Sequence, residues 1–255
     1  MDGMGSVAVV VVAFVLMLVV ERLRPGRRFP RVPCFLARAA MLNLLQIGCV
    51  LAVGRTLDPW LREHRLWSAD RLGVAGGALL GYVAVTFLYY WWHRARHAVP
   101  FLWRWFHQLH HSPRRIELVT SFYKHPVELI ANALLSSAIL YLVVGVGAQP
   151  AAIAVTMTGV AELFYHWNVA TPYWLGFLIQ RPESHCVHHQ EGVHAFNFGD
   201  LPLWDWLFGT LRNPREWDAR CGFGEKENEL GAMLRGVDVS ATRNETWGAS
   251  TGAPP

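Results

Sequence analysis

Three histidine clusters constrain this chain more than any other feature: His93-x3-His97, His107-x2-His110-His111 and His185-x2-His188-His189. Residues three or four apart share one face of a helix, so each cluster, if helical, aims its imidazoles at one point. Imidazole is a common ligand for iron, copper, nickel and zinc, and eight clustered rings are more than one ion takes. The pattern therefore predicts a fold that gathers three helical segments around an all-histidine site for two metals. Histidines scattered over a surface would not repeat H-x2-H-H among only 12 such residues.

The solvent for that fold is a membrane. Gly3 to Val20 and Leu72 to Trp92 carry no charge, and each is about long enough to cross a hydrocarbon core. Leu129 to Ala161 is too long for one span, and Gly145, Gly147 and Pro150 divide it into two helices joined by a tight turn. Val32 to Gly54 is a shorter candidate, whose Arg38 can reach the interface. The first segment lacks a basic leader and a small-residue cleavage site, so it reads as an anchor rather than a signal peptide. Composition agrees, with 53% hydrophobic and only 16% charged residues, against roughly 25% charged in soluble domains. The expected fold class is all-α: a multi-pass membrane protein with four to five transmembrane helices and a cytosolic, helical, histidine-rich metal-binding cap.

Charge placement predicts the orientation. Arg22, Arg24, Arg27, Arg28 and Arg31 follow the first span at once and mark that loop as cytoplasmic. Counting forward puts Asp58 to Arg71, with His64, outside, and all three clusters on the cytoplasmic side. The net charge of +4 needs no nucleic acid to explain it, because basic residues beside spans set topology and meet anionic lipid. Cys34, Cys49, Cys186 and Cys221 form no C-x2-C pair, so neither a zinc ribbon nor a disulfide framework is supported. No Ser-His-Asp or Cys-His nucleophile and no nucleotide-binding glycine loop is present.

Other residues cluster with the motifs. His166 ends the last apolar segment and is a further candidate ligand. Metal-bound histidines need acceptors for their other nitrogen, so His125, Glu128, Glu162 and Asp205 are expected around the ligands, or as additional ligands. Arg94, Arg96, Arg104, Arg114, Arg115 and Lys124 either record topology or offer a basic surface to a head group or an acidic electron donor.

At these residues the chain resembles the fatty acid hydroxylase and sterol desaturase superfamily of membrane di-iron enzymes. The matching motifs are His93-Arg94-x2-His97, Phe106-His107-x2-His110-His111, His125-Pro126-x-Glu128, His166-Trp167-Asn168-Val169 and Pro182-x2-His185-x2-His188-His189. Asn197-Phe198-Gly199, Leu203-Trp204-Asp205 and Leu207-Phe208-Gly209-Thr210 close the pattern, which covers about residues 80 to 212. The resemblance implies that His93, His97, His107, His110, His111, His166, His185, His188 and His189 ligate two Fe ions. Some relatives place another histidine near His166; here there is none, and Asn168 is a candidate to contribute through water. The implied reaction is O2-dependent hydroxylation of an unactivated C–H bond in a lipid drawn from the bilayer. A separate ferredoxin- or cytochrome-b5-type donor would supply the electrons, and the substrate would approach along the third to fifth helices. Residues 1–71 are then anchor helices and loop, 72–212 a fatty acid hydroxylase-like catalytic domain, and 213–255 a polar tail, disordered from about Gly248. Desaturation by the same site is the alternative reaction, and a non-catalytic metal-binding membrane protein the alternative class. Among the spans only Arg38 and Glu162 are charged, which speaks against ion transport. The Arg-, Ala- and Gly-rich style points to a bacterial plasma membrane.

Overall fold

The computed structural model describes residues 3–240, so the expected disordered tail lies outside the described residues. The described chain is all-α. In order, the helices are α1 (Gly3–Leu23), α2 (Phe35–Thr56), α3 (Asp58–Glu63), α4 (Gly73–Ala98), α5 (Pro100–Leu102) and α6 (Gln108–His111). They continue with α7 (Pro126–Ala138), α8 (Ala148–His166), α9 (Pro182–His188), α10 (Pro202–Leu207) and α11 (Leu230–Met233).

An apolar segment in lipid must satisfy its backbone internally, and the uncharged runs do so as helices. Met4–Leu23, Phe35–Thr56, Asp70–Ala98 and Pro126–Val143 are long and apolar enough to cross a membrane. The run interrupted by Arg38 is thus a full 22-residue helix. Helix α8, 19 residues and about 28 Å long, runs parallel to α1. Ser6 Oγ donates to Ala152 O near one end of this pair, and Trp167 Nε1 donates to Met17 O near the other. Val12, Leu16 and Val19 of α1 and Leu44 of α2 turn exposed faces outward, where lipid would cover them.

Helices α1, α4 and α8 run one way and α2 and α7 the other, so three C-termini and two N-termini meet at one end. Buried Glu21, near the end of α1, accepts from the backbone N–H groups of Leu118 and Asn168, both at 2.8 Å. Asn43 of α2 donates to Val119 O at 2.9 Å, and Tyr89 of α4 to Asn132 O of α7 at 2.7 Å. At the opposite end, Trp67 Nε1 donates to Val143 O, and His64 stacks on Trp60 with centroids 4.2 Å apart. This antiparallel order is what a crossing by α2 requires.

The tight turn expected between the last two helices is built on Gly145. Its φ of +71° lies in the left-handed region, and a Cβ there would sit 2.3 Å from Trp67 O. Gly145 O in turn accepts from Ala69 N at 2.9 Å, locking the α3–α4 loop onto the α7–α8 turn. Gly145→Ala is expected to destabilise the protein by at least about 2 kcal/mol, from the left-handed backbone and the steric conflict. Gly147→Ala, where the nearest atom is 3.5 Å from a new Cβ, is expected to be close to neutral. Thermal unfolding of both variants in detergent checks the contrast.

Candidate metal centre

The converging helix ends deliver the histidines. His93 and His97 occupy the last turns of α4. Pro100 starts α5, and the chain then widens into a π-helical turn over Trp103–His107 before α6 carries His110 and His111. Such wide turns reposition side chains at functional sites. His166 ends α8, and α9 with its C-cap carries His185, His188 and His189.

These nine histidines fall into two groups: His93, His97, His107, His111 and His188 form one, and His110, His166, His185 and His189 the other. Within each group one candidate ligand atom per residue lies within 4.8 Å of all the others. The Nε2–Nε2 separations are 2.8 Å for His93–His107, 3.1 Å for His107–His111 and 3.3 Å for His110–His166. His166–His185 and His185–His189 follow at 3.1 and 3.0 Å. Nitrogens bound at about 2.1 Å to one metal ion stand about 3.0 Å apart along an octahedral edge, so these spacings fit shared coordination.

One sequence expectation is corrected. Each H-x2-H-H triple does not aim at one point but divides between the groups. His107 and His111 join the first group while His110 joins the second; His185 and His189 join the second while His188 joins the first. Positions i+3 and i+4 differ by about 100° around a helix, so a triple between two centres serves both. The two triples use this freedom in opposite senses. They meet where His111 and His189 stack at 4.1 Å.

Oxygen acceptors fix ring orientation. Nδ1 of His93 donates to Phe198 O at 2.7 Å, that of His188 to Phe196 O at 2.6 Å, and that of His166 to Glu162 O at 2.9 Å. His107 Nδ1 lies 3.1 Å from Glu128 Oε1, and Glu128 also pairs with buried Arg96. With Nδ1 protonated, each Nε2 turns its lone pair inward. The Gln180 amide lies 2.8 Å from His185 Nδ1, and His194 Nδ1 3.1 Å from His111 Nδ1. Phe196 and Phe198 belong to a loop with positive φ at His194, Phe196 and Asn197, a strained backbone of the kind found at functional sites. Asn197 holds it by donating to Ser184 O and Arg212 O. Asp205 accepts from the N–H groups of Phe198 and Gly199 and from the Thr210 hydroxyl.

Seven of the nine, His107, His110, His111, His166, His185, His188 and His189, are buried. Burial first, and neighbouring positive groups second, hold His107, His110, His111, His185 and His189 well below the ordinary imidazole range. Burial pulls His188 down to about 3. All are therefore neutral and competent as ligands at neutral pH. His188 Nε2 is buried with no hydrogen-bond partner, as are both ring nitrogens of His97. Orphaned nitrogens facing a cluster of others fit a transition-metal pair.

The remaining predicted residues separate. Glu128 touches His107 directly. Glu162 supports His166 through its backbone carbonyl, while its carboxylate pairs with Lys124. Asp205 acts through the loop it anchors. His125 stands outside both groups and caps α7, its Nδ1 accepting from Val127 N at 3.1 Å. The Asn168 side chain is tied to the Arg27 backbone by two 2.9 Å hydrogen bonds instead of supporting a ligand. The expected basic surface is largely engaged inside the protein: Arg96 with Glu128, Lys124 with Glu162, Arg114 with Glu227 and Arg115 with Glu117. Gln180 and the two loop carbonyls were not legible in sequence, since any residue type can present a carbonyl. His194 carried a signal only in being a histidine near the third cluster.

A cavity of about 1050 Å³ reaches His93, His107, His110 and His185. It descends between α1, α2, α7 and α8, with Val85 and Tyr89 of α4 on its wall. The third to fifth long helices, along which the approach is expected, all line it, and the first two helices form much of the remaining wall. Their apolar faces are what complete a lipid-sized channel.

The fatty acid hydroxylase family profile matches residues 78–210. The chain is 31% identical over 192 residues to the very-long-chain aldehyde decarbonylase GL1-5 of Oryza sativa subsp. indica, covering 66% of this chain and 28% of that protein. It is 29% identical over 185 residues to the very-long-chain aldehyde decarbonylase GL1-4 of the same plant, with the same coverage. The chain thus spans about 28% of the length of these curated relatives. Both are plant proteins and lend no support to the expected bacterial membrane. No solved structure matches the chain.

Acidification checks the electrostatics of the histidine groups in metal-free protein. Their folded-state pKa values lie below the ordinary value of about 6.5, so the unfolded chain binds more protons. Stability is then fully present above about pH 6.5 and is lost as pH falls toward the folded values. Denaturant midpoints are expected to drop between about pH 7 and about pH 5, and a flat profile would contradict the buried, neutral assignment.

Proposed function

Since this chain belongs to the fatty acid hydroxylase family, we propose that it is an integral-membrane di-iron oxygenase that hydroxylates an unactivated C–H bond of a lipid. The observation that carries this reading is the pair of adjacent all-histidine groups at the head of a membrane-depth cavity. Five imidazoles would hold one iron and four the other. Two irons bound there would supply the O2 activation and electron storage that no side chain provides.

The chain's own residues do the rest. Phe196 O, Phe198 O, Glu162 O and the Glu128 carboxylate hold the ring orientations, while the Arg96 guanidinium balances Glu128. Val7, Val10, Phe14, Ile47 and Val50 wall the cavity, exclude water and hold an alkyl chain. Near the histidines the lining turns polar, with Tyr89, Asn132, Lys124, Glu162, Tyr165 and Asp200. The Tyr165 hydroxyl hydrogen-bonds the Asp200 carboxyl, which burial pushes up to about 7, so Asp200 can hold or release a proton near neutral pH. Arg22, Arg24, Arg27, Arg28 and Arg31 gather at the histidine end, which supports a cytoplasmic site served by a separate ferredoxin- or cytochrome-b5-type electron donor.

Desaturation of the same chain is a neighbouring outcome. The names of the rice relatives favour a second substrate reading, a very-long-chain aldehyde. Iron-loaded protein supplied with membrane lipid, a reductant and isotopically labelled O2 is expected to place the label in a lipid hydroxyl, read by mass spectrometry. His110→Ala and His188→Ala are expected to lower metal content and abolish turnover. A variant that kept full activity would overturn the ligand assignment.

A further inference from the structure

The cavity has a second end. Its lining runs on α1 from Met4 to Arg22 and on α2 from Leu36 to Arg55, and on α8 from Ala148 to Tyr165. At 1.5 Å per helical residue these three walls are each about 26–29 Å long, close to the roughly 30 Å hydrocarbon thickness of a bilayer. The space therefore runs the depth of the membrane, from the histidines to the loop around α3. There the lining becomes polar again, with Arg55, Asp58, Arg62, Ser137 and Tyr141.

Asp58 is the key group at this far end. Its Oδ1 is buried, and its carboxyl meets the Ser137 hydroxyl and, in a long 3.5 Å contact at Oδ2, the Tyr141 hydroxyl. Burial pushes its carboxyl up. Arg62, one helical turn on along α3, supplies donors. With Arg55 turned to Met4 Sδ at 3.5 Å, Asp58 and Arg62 together offer an acceptor and donors with little net charge, which suits a neutral hydroxyl or carbonyl better than a phosphate. The apolar shaft between the two polar ends suits a single extended chain, because a compact ring system would leave much of the length unfilled.

We propose that this cavity binds one extended lipid chain across the membrane, its neutral polar head at Asp58 and Arg62 and its chain end at the histidine groups. The reaction would then fall near the chain end, remote from the head; that consequence rests on the proposed oxygenase reading. A fully extended chain advances about 1.2 Å per bond, as a polypeptide does over its three backbone bonds, so about 22 carbons fill the length.

Photo-crosslinking in bilayer vesicles tests the binding geometry without any turnover. The probes are two alcohols of about 22 carbons, carrying a diazirine either beside the hydroxyl or at the chain end. The head-side probe is expected to label the segment 53–62 and Tyr141, and the end-side probe Tyr89, Tyr165 and their neighbours near the histidines. Asp58→Asn with Arg62→Gln is expected to weaken alcohol binding about tenfold while leaving the parent alkane unchanged. A chain of half the length is expected to bind at least about tenfold more weakly. Labelling in the reverse order, or scattered over the outer faces of α1 and α2, would overturn the proposal. Correct labelling with no oxidation would instead count against the oxygenase reading alone.

Discussion

Imidazoles gathered out of water impose a strict demand on nitrogen: each ring needs an acceptor for its outer N–H and a partner for its inner lone pair. The protein meets the outer demand at four rings, with backbone carbonyls of Glu162, Phe196 and Phe198 for His166, His188 and His93, and with Glu128 for His107. The inner demand is one that metal ions held there would meet. An unpaired buried nitrogen costs about 1–3 kcal/mol, so several at once make the metal-free centre a destabilised part of the fold. The strained loop through His194, Phe196 and Asn197 adds to that burden. Metal held there would therefore stabilise the cap.

Because the gathered histidines come from α4, the turn into α6, α8 and α9, the membrane helices must end at a common level. Glu21 shows how this is enforced: one buried carboxylate ties α1 to the backbone at Leu118 and at Asn168. Those two segments lead out of the second histidine cluster and out of α8. The first helix is consequently part of the site's framework as well as a membrane anchor. The same arrangement leaves a long apolar gap between α1, α2, α7 and α8, which puts substrate-sized space directly beneath the histidines.

The N-terminal helices also show where reading by motif stops. Their sequences are generically apolar, and nothing in Gly3 to Val20 distinguishes a wall of a cavity from a lipid-facing anchor. His125 shows the opposite failure. It sits in a motif with Glu128, yet only Glu128 reaches a histidine of the centre, because His125 lies at the α7 N-cap and turns to the helix backbone. Asn168 likewise follows His166 closely, but an Arg27 backbone brought in from the α1–α2 loop takes up its side chain.

By itself the sequence determined the all-α membrane class, the break at Gly145, and the histidines that come together, because helical period, hydropathy and left-handed glycine geometry are local properties. The tertiary structure alone decided how the nine rings divide into five and four, and which carbonyls orient them. It alone opened a cavity through the depth of the bundle. Those outcomes depend on the angle at which helix ends meet, and that angle is set by packing between segments far apart in the chain.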